Sequence, residues 1–344
     1  MAPRHLLLVR TSAFGDVVQT FYVLSDLRRA LPNTRIDWCV DERFVDLARL
    51  HPAVTKVISL PTRRWKGLMM HPRRWPEVFR WIKDLRALDI DTSLDLQGLY
   101  KSALVGWISR ARLRLGPEAF AESEPGVHRL YHRELKGSKV EGLAMRARYL
   151  AGVALGYDAF SYQIDSGVQG WARPAGASQI LMMVGASRKE KMWPEAQWAE
   201  LCGRVLRKVS DRDDTSGRDS VAINREWAPA IELLWGSESE RQIALNIEQK
   251  VADPRVLAAP RAYAINELIA KFLTGRALVG GDTGLGHLAV ALGLPTVMLF
   301  LKTHAVRYAH SDLTHQLAVD LADGAVTVDR VIEKLNQALH IGPN

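Results

Sequence analysis

Strand-like and helix-like stretches alternate along most of the chain, and this alternation constrains the fold more than any other feature of the sequence. A short apolar run at 5–10 is followed by a glycine-containing turn and then by a helical apolar pattern at 16–31. Similar pairs recur up to residue 110 and again from residue 179 onward. Strands separated by helical patterns indicate βαβ units around a parallel sheet. The predicted fold class is therefore α/β.

A stretch without periodicity divides the chain, because glycine, serine, proline and aromatic residues mix over 157–178. We predict two Rossmann-like, doubly wound domains that face a central cleft, an N-terminal domain at 1–160 and a C-terminal domain at 179–325, joined by a linker at 161–178. The remainder, 326–344, is predicted to be a C-terminal helix, and packing back on the N-terminal domain is one position open to it. Ligands of such sheets bind beyond the carboxyl ends of the strands.

Composition excludes several other classes of protein. Hydrophobic residues make up 47% of the 344 residues, which is typical of a globular protein and not of a disordered or collagen-like one. No apolar run reaches the ~18–20 residues that cross a bilayer. The only cysteines are Cys39 and Cys202, so a disulfide scaffold and a cysteine-based zinc site are excluded, and a reducing compartment is expected.

The chain is basic, with 46 Lys and Arg against 38 Asp and Glu, a formal net charge of +8. Many of these cations lie between Arg63 and Arg86, together with Trp65, Trp75 and Trp81. Two interpretations stay open for this segment: a solvated helix face, or a patch for an anionic, amphiphilic partner at a membrane surface. No DNA- or RNA-binding signature accompanies the basic residues.

The first candidate site is Arg10–Asp16, which follows the first predicted strand and opens a helix. Gly15 permits a tight turn there. Asp16 has two interpretations. It is either an N-terminal helix acid that the helix dipole favours, or a general base that reaches a substrate hydroxyl.

The second candidate is the segment 280–287, Gly-Gly-Asp-Thr-Gly-Leu-Gly-His, which joins a strand to a helix. Glycines let backbone N–H groups approach a phosphate, and a helix N-terminus favours negative charge. The spacing matches neither the dinucleotide fingerprint nor the P-loop. The segment is either a tightly packed turn or an anion and sugar site, and the interleaved Asp, Thr and His favour the second.

The third candidate, 185–194, follows the first strand of the second half. Ser187, Arg188 and Lys191 are residue types that bind phosphate, and the alternative is a charged loop that Trp193 anchors.

The fourth candidate, 235–240, also runs from a strand into a helix. Ser237 and Glu240 have the spacing of a capping box, and the functional alternative is ribose binding by the carboxylate.

Together these segments resemble the ADP-heptose:lipopolysaccharide heptosyltransferases, glycosyltransferase family 9, and most closely their heptosyltransferase I branch. The resemblance extends from Leu6 to about Phe300. Its most specific motifs are Thr-Ser-Ala-Phe-Gly-Asp at 11–16, Asp-Leu-Gln-Gly-Leu-Tyr-Lys-Ser at 95–102, Lys-Met-Trp-Pro at 191–194 and Asp-Thr-Gly-Leu-Gly-His at 282–287, with the basic Arg-Arg-Trp-Lys at 63–66.

The resemblance implies a GT-B fold and an inverting, metal-independent transfer of L-glycero-D-manno-heptose from ADP-heptose to Kdo of the lipopolysaccharide inner core, with no cofactor. Asp16 would be the catalytic base. Lys191 would stabilise the diphosphate that leaves, as the second catalytic residue. The implied donor-binding residues are Ser187, Arg188, Glu240 at the ribose, Tyr263 at the adenine, Asp282 at the heptose hydroxyls, Thr283, Gly284 and His287; the implied acceptor-binding residues are Arg63, Arg64, Lys66, Gln97 and Lys101.

The implied partners are ADP-heptose or ADP, a Kdo-lipid A acceptor and the anionic surface of the inner membrane, and no nucleic acid. The implied location is cytoplasmic, peripheral on the cytoplasmic face of that membrane. The sequence departs from the family pattern in three places: Ser123 where an Arg is common, the loop 301–304 in place of Gly-Pro-Thr, and a longer polar stretch at 209–226 that is expected to be a surface insertion.

Two alternatives remain at this stage. The first is a sibling family 9 enzyme with a different heptose or core acceptor position. The second is a non-enzymatic basic protein that binds membrane or nucleic acid, which salt-sensitive binding to duplex DNA or RNA would reveal.

Overall fold

A computed structural model describes residues 2–65, 72–118, 123–136, 140–170, 179–186, 188–210, 230–308 and 313–341. The chain divides into two compact units, Met1–Val168 and Gln169–Asn344. Their boundary lies inside the segment 161–178 that the sequence predicts as a linker.

The first unit is built on a parallel six-stranded sheet in the order β3-β2-β1-β4-β5-β6. Its strands are β1 His5–Val9, β2 Arg35–Asp41, β3 Lys56–Leu60, β4 Thr92–Asp95, β5 Leu113–Pro117 and β6 Arg133–Leu135. Its helices are α1 Phe14–Ala30, α2 Val45–Ala48, α3 Trp75–Arg86, α4 Tyr100–Ile108 and α5 Leu143–Leu155.

The second unit repeats this architecture, with a parallel sheet in the order β12-β11-β10-β7-β8-β9. Its strands are β7 Gln179–Met183, β8 Ala230–Leu234, β9 Val256–Ala258, β10 Ala277–Gly281, β11 Thr296–Phe300 and β12 Gln316–Asp320. Its helices are α6 Glu195–Ser210, α7 Glu238–Val251, α8 Ile265–Thr274, α9 Gly284–Ala291, α10 Ala305–Tyr308 and α11 Val328–His340. Two doubly wound units therefore confirm the predicted fold class.

The apolar runs of the central strands explain why they form the middle of each sheet. All five residues of β1 and of β10 are buried, as expected for strands that helices cover on both faces. The strand order reverses beside these strands, between β1 and β4 in the first unit and between β7 and β10 in the second. Such reversal points are where doubly wound sheets bind ligands.

The C-terminal helix belongs to the second unit. Val331, Ile332 and Leu335 of α11 lie in the same buried apolar cluster as Trp193 and Trp198. The apolar face of this predicted helix is therefore used in the core of the second unit.

Candidate active site

A cluster of polar side chains occupies the strand-order reversal of the second unit. Lys191 follows β7 and Asp282 follows β10, and the Lys191 Nζ lies 2.8 Å from the Asp282 Oδ2. Thr303, beyond β11, donates its hydroxyl to the same oxygen at 2.6 Å. The Nε2 of His287, in α9, is 3.1 Å from Asp282 Oδ1. Three neighbouring segments thus converge on one carboxylate.

The Asp282 carboxylate is stabilised in its charged form. Burial alone would raise its pKa, because its side chain is only 5% exposed. The hydrogen bonds from His287, Lys191 and Thr303 outweigh that effect and lower the pKa of Asp282 well below its ordinary value. Asp282 is therefore an anion at neutral pH.

The start of α9 lies directly beside this cluster. Thr283 is the N-cap of the helix, and its hydroxyl accepts a hydrogen bond from the Gly286 N–H at 3.3 Å. Gly284 is the first residue of the helix. The first-turn amides of a helix have no intrahelical acceptor and carry partial positive charge, so this end suits an anionic ligand.

Glu240 forms the capping box that its spacing from Ser237 predicts. Its Oε2 accepts from the backbone N–H groups of Gly236 at 2.8 Å and Ser237 at 3.1 Å. The carboxylate also lies against Gly185 at the end of β7, where an added Cβ would come within 2.2 Å of it. A side chain at residue 185 would therefore force the Glu240 carboxylate to shift from its capping position.

Tyr263 lies beyond β9 in a charged cluster. Its hydroxyl donates to Glu232 Oε1 at 2.6 Å, and the Lys271 Nζ, which contacts Glu232 Oε2 at 2.7 Å, lies 4.5 Å from the centre of the tyrosine ring. The Arg261 guanidinium is 5.4 Å from the same ring. Burial and the Glu232 carboxylate raise the pKa of Tyr263, so its hydroxyl stays protonated.

Two more residues complete the donor-side candidates. The Arg188 side chain is 73% exposed and lies 3.7 Å from Glu190, so the structure does not bring it to Asp282. Ser187 lies outside the described residues. The same holds for residues 211–226 of the predicted insertion at 209–226.

In the first unit the strand-order reversal carries Asp16. The Asp16 Oδ1 lies 2.9 Å from the Nη2 of Arg10, and its Oδ2 accepts from the Ala13 N–H at 2.9 Å. Arg10 also donates to the Leu96 carbonyl beyond β4. The Asp16 side chain remains 29% exposed. The expected first-turn acid is thus confirmed, and its carboxylate is still accessible.

Gln97 and Lys101 meet the same loop from β4 and α4. Gln97 Oε1 accepts from the Thr11 N–H at 2.8 Å and the Thr11 hydroxyl at 2.7 Å, and its Nε2 donates to Ser12 Oγ at 3.0 Å. The Lys101 Nζ reaches Ser12 Oγ at 2.7 Å. Both predicted acceptor residues therefore lie next to the Asp16 loop.

The buried carboxylate of Asp95 holds the Gln97 loop in place by hydrogen bonds. Asp95 accepts from the Ser102 hydroxyl at 2.7 Å, the Tyr131 hydroxyl at 2.8 Å and the Gln97 N–H at 2.7 Å. Burial raises the pKa of Asp95 despite these donors. Because Asp95 binds both the loop and the first turn of α4, it positions Gln97 and Lys101.

The basic segment near residue 63 lies beyond β3. Arg63 is exposed, whereas Arg64 is 2.8 Å from Glu42 and 3.2 Å from Glu77. Lys66 lies outside the described residues.

The three tryptophans of this segment do not share one environment. Trp65 and Trp81 pack edge to face, with ring centres 5.4 Å apart, against the core of the first unit. Trp75 is 39% exposed. Trp65 and Trp81 are therefore only partly available to a partner of the predicted basic patch, whereas Trp75 is exposed.

Comparison with known proteins decides the family. The model of glycosyltransferase family 9 (heptosyltransferase) matches residues 78–209 and 220–330. Lipopolysaccharide heptosyltransferase 1 of Pseudomonas aeruginosa is 34% identical over 309 residues, which cover 87% of this chain and 79% of that protein. The protein of the same name from Escherichia coli K12 is 30% identical, covering 87% of this chain and 88% of that one.

The chain belongs to glycosyltransferase family 9. It is therefore a glycosyltransferase. A solved structure titled E. coli heptosyltransferase WaaC with ADP is similar over 97% of this chain and 99% of that one, with a TM-score of 0.80 and 24% identity. That likeness confirms the expected GT-B fold.

Sequence reasoning missed several side chains of this family 9 enzyme that order its candidate site. Arg10, Asp95 and Thr303 lie in segments that the sequence singles out, 10–16, 95–102 and 301–304, but have no predicted role of their own, and Glu232 lies outside these segments. Arg10 and Asp95 had a usable signal, since each is a charged residue at the carboxyl end of an apolar strand. Glu232 is likewise the one charge within the strand Ala-Ile-Glu-Leu-Leu. Thr303 had no signal beyond its place after a strand.

Proposed function

We propose that this family 9 enzyme transfers L-glycero-D-manno-heptose from ADP-heptose to Kdo of the lipopolysaccharide inner core, with inversion and without a metal. The observation that carries the proposal is the Lys191–Asp282 pair at 2.8 Å beside the start of α9. At the strand-order reversal, the Lys191 cation, the N-terminus of α9 and the Asp282 carboxylate lie together. The cation and the helix N-terminus suit the diphosphate of a nucleotide-sugar donor, and the carboxylate suits its sugar. The names of the relatives, lipopolysaccharide heptosyltransferase 1, support the choice of donor and acceptor.

The donor half of the reaction falls to the second unit. Lys191, Ser187, Arg188 and the amides of Thr283 and Gly284 bind the diphosphate of ADP-heptose. Preorganised donors of this kind stabilise charge that develops on a leaving group. His287 orients Asp282, which binds heptose hydroxyls, Glu240 binds the ribose and Tyr263 contacts the adenine.

The acceptor half falls to the first unit. Asp16 takes the proton from a Kdo hydroxyl, whose oxygen forms a bond to the anomeric carbon as the bond from that carbon to the ADP oxygen breaks. One displacement at that carbon inverts its configuration. The Asp16 carboxylate is accessible, and each of its oxygens keeps a lone pair beyond its bond to Arg10 or Ala13.

Cationic and amide groups recognise the acceptor. Arg63, Arg64 and Lys66 bind its phosphates and carboxylates, and Gln97 and Lys101 orient it beside Asp16. Cationic side chains would also neutralise the charge of the diphosphate as it leaves. Within the described residues, no group of three or more His, Cys, Asp or Glu side chains has the arrangement of a metal site.

A sibling activity with another core acceptor position is the second candidate. Ser123 favours it, because its hydroxyl donates to the Glu118 carbonyl at 3.2 Å and lies where a Cβ on Gly98 would meet it at 2.8 Å. Ser123 is thus a small residue packed on the Gln97 loop, at a position where the family pattern has an Arg. Loss of that cation can change which acceptor the enzyme binds.

We also propose that the enzyme works peripherally on the cytoplasmic face of the inner membrane, where a lipid-linked acceptor is presented. No helix in the described ranges combines the length and the apolar character that crossing a bilayer requires. Contact with the anionic surface then depends on exposed basic and apolar side chains.

Calorimetry followed by transfer assays tests the proposal. Without added metal, we expect ADP to bind in preference to GDP and UDP, and Glu240→Ala to weaken that binding. With ADP-heptose and Kdo-lipid A, we expect ADP release that Asp16→Asn abolishes while ADP binding is kept. Asp46→Asn is the matched control, because Asp46 is a 77% exposed first-turn acid of α2.

The outcomes separate the candidates. Transfer only to an acceptor that already carries heptose would favour the sibling activity. Full activity of the Asp16→Asn variant would refute Asp16 as the base. Absence of nucleotide binding would refute the donor assignment.

A further inference from the structure

The outer side of α4 carries large apolar side chains between basic ones. Leu104 is 40% exposed and Trp107 is 52% exposed. Lys101 precedes them at the same three-residue spacing, and Arg110 lies just beyond the helix end; both are exposed. We call these four residues the α4 row. Scattered apolar residues are ordinary on a protein surface, but a continuous row with charged ends indicates an interaction site.

The sequence segment that contains the α4 row carries charge of one sign. The sequence from 96 to 117 contains no Asp or Glu, and its charged residues are Lys101, Arg110, Arg112 and Arg114. Arg112 is exposed like Arg110. Outside this segment, Glu124 accepts from the Tyr100 N–H at the start of α4. An apolar strip with cations at and beyond its ends is complementary to a surface that is anionic above and apolar below, which describes a phospholipid headgroup layer.

Helix α3 extends the same surface. The Arg86 Nε donates to the Ile108 carbonyl at 3.1 Å, so the C-terminal ends of the two helices are in contact. Trp75 and Phe79 of α3 are 39% and 60% exposed, with ring centres 5.8 Å apart. Arg80 and Lys83 are exposed on the same helix, as is Asp84. Aromatic and basic side chains at the surface of neighbouring helices are typical of an interfacial membrane contact.

One end of the α4 row reaches the candidate acceptor site. Lys101 begins the row, and its Nζ contacts Ser12 in the loop that carries Asp16. A surface that starts at Asp16 and continues along α4 would place this loop next to the bilayer that holds a lipid-linked acceptor.

We propose that the α4 row, together with Trp75 and Phe79 of α3, docks on an anionic phospholipid surface, with Leu104 and Trp107 inserted among the lipids. This surface shares its α3 residues, Trp75 and Phe79, with the basic segment from Arg63 to Arg86, but its residues on α4 lie outside that segment. Trp65 and Trp81 of the same segment pack against the core and are not part of it. The inference rests on the proposed function only for the place of the acceptor, and its test needs no turnover.

The first test is sedimentation of the full chain with vesicles of phosphatidylethanolamine that contain a minority of phosphatidylglycerol. Leu104→Gln/Trp107→Gln keeps good helix formers in α4 and removes its apolar contact. We expect at least roughly tenfold weaker partitioning than wild type, since burial of either side chain alone gives an effect of that order. The control is Val153→Gln/Phe160→Gln, which changes apolar residues of the same unit that are 46% and 47% exposed and lie outside the α3–α4 surface.

A second test locates the contact directly. Brominated lipids in the same vesicles should quench part of the tryptophan fluorescence, and Trp107→Phe should remove a share of that quenching while the protein still binds. Transfer to a water-soluble, deacylated Kdo acceptor should be unchanged in the Leu104→Gln/Trp107→Gln variant. If the proposed function is wrong, wild type and variants alike will show no transfer, and the vesicle results will be unaffected.

Several results would overturn the inference. Wild type that does not sediment with the vesicles is one, and an α4 variant that binds as tightly as wild type is another. An equal loss in the α5-side control would show that the contact is not specific. Self-association that the α4 substitutions abolish, with vesicle binding unaffected, would assign the face to a second copy of the chain.

Discussion

Replacing Lys191 with methionine separates the chemical role of this residue from its structural one. Lys191 is 2.8 Å from Asp282, and the two side chains are 17% and 5% exposed. Removal of one partner from a fully buried pair costs ~3–5 kcal/mol, and from a surface pair ~0–1 kcal/mol. Asp282 keeps His287 and Thr303 in the variant. We therefore expect a loss of about 1–3 kcal/mol in the free energy of unfolding.

The effect of Lys191→Met on turnover should be larger. Loss of one preorganised group that stabilises developing charge lowers kcat by about 10²–10³, which is roughly 3–4 kcal/mol in the activation barrier. Urea unfolding gives the stability change, provided that the slope against urea stays constant. ADP release with ADP-heptose and Kdo-lipid A gives kcat at a temperature where the variant is folded.

The matched control is Lys189→Met. Lys189 lies in the same single-turn helix, Lys189–Lys191, but its side chain is exposed. We expect wild-type kcat and stability within about 0.5 kcal/mol for this surface substitution. The reasoning is refuted if a folded Lys191→Met enzyme keeps its kcat, or if its activity falls only in proportion to the folded fraction.

Three further perturbations follow from the same geometry. Gly185→Ala should weaken ADP binding in calorimetry by about 1–3 kcal/mol, because the new Cβ would lie 2.2 Å from the Glu240 carboxylate and displace it. Unchanged ADP affinity would show that Glu240 is not part of the donor site. Asp282 has a lowered pKa, so its charge stabilises the fold above its ordinary pKa of ~3.9, and this contribution is lost as pH falls below that value. Acid unfolding of Asp282→Asn, followed by circular dichroism, should therefore depend less steeply on pH than that of wild type. Tyr131→Phe removes a hydroxyl 2.8 Å from buried Asp95 and should cost about 1–3 kcal/mol in urea unfolding; a change below 0.5 kcal/mol would count against Asp95 as an anchor.

The sequence predicted the elements that have a strong local signal. The apolar pattern predicts a helix over 238–251, and α7 has these bounds, with its start fixed by the capping box of Ser237 and Glu240. The apolar run at 296–300 predicts a strand, and β11 has these bounds as well. In contrast, the helix predicted over 42–51 is a short 3-10 turn followed by a single helical turn, Val45–Ala48.

The elements that were missed depend on tertiary pairing. Strand β6 has only three residues, Arg133–Leu135, and pairs at the sheet edge. Strand β5, Leu113–Pro117, contains an arginine, a glycine and a proline. Residues 112–115 do alternate, as Arg-Leu-Arg-Leu, but a glycine and a proline follow at once, and Arg133–Leu135 is too short to show a period. Their neighbours in the sheet therefore decide their conformation.

For the site, strand ends gave the position of polar residues but not their partners. Lys191 and Asp282 were singled out because each follows a predicted strand. That Thr303 also binds Asp282 depends on a contact across 21 residues, which no periodicity records. The inward packing of Trp65 and Trp81 was also hidden, because a basic segment with tryptophans does not specify which of them faces the core.

The two reversal points carry carboxylates whose surroundings suit different tasks. Asp282 is 5% exposed, receives hydrogen bonds from three side chains and has a lowered pKa, so it is a weak proton acceptor and a rigid one. Asp16 is 29% exposed, and its two donors are Arg10 and a backbone amide. A general base must reach a substrate hydroxyl and accept its proton. We therefore propose that Asp16 removes the proton and that Asp282 orients the sugar. Asp16→Asn should accordingly lower kcat with ADP affinity kept, whereas Asp282→Asn should raise the KM for the sugar donor as well.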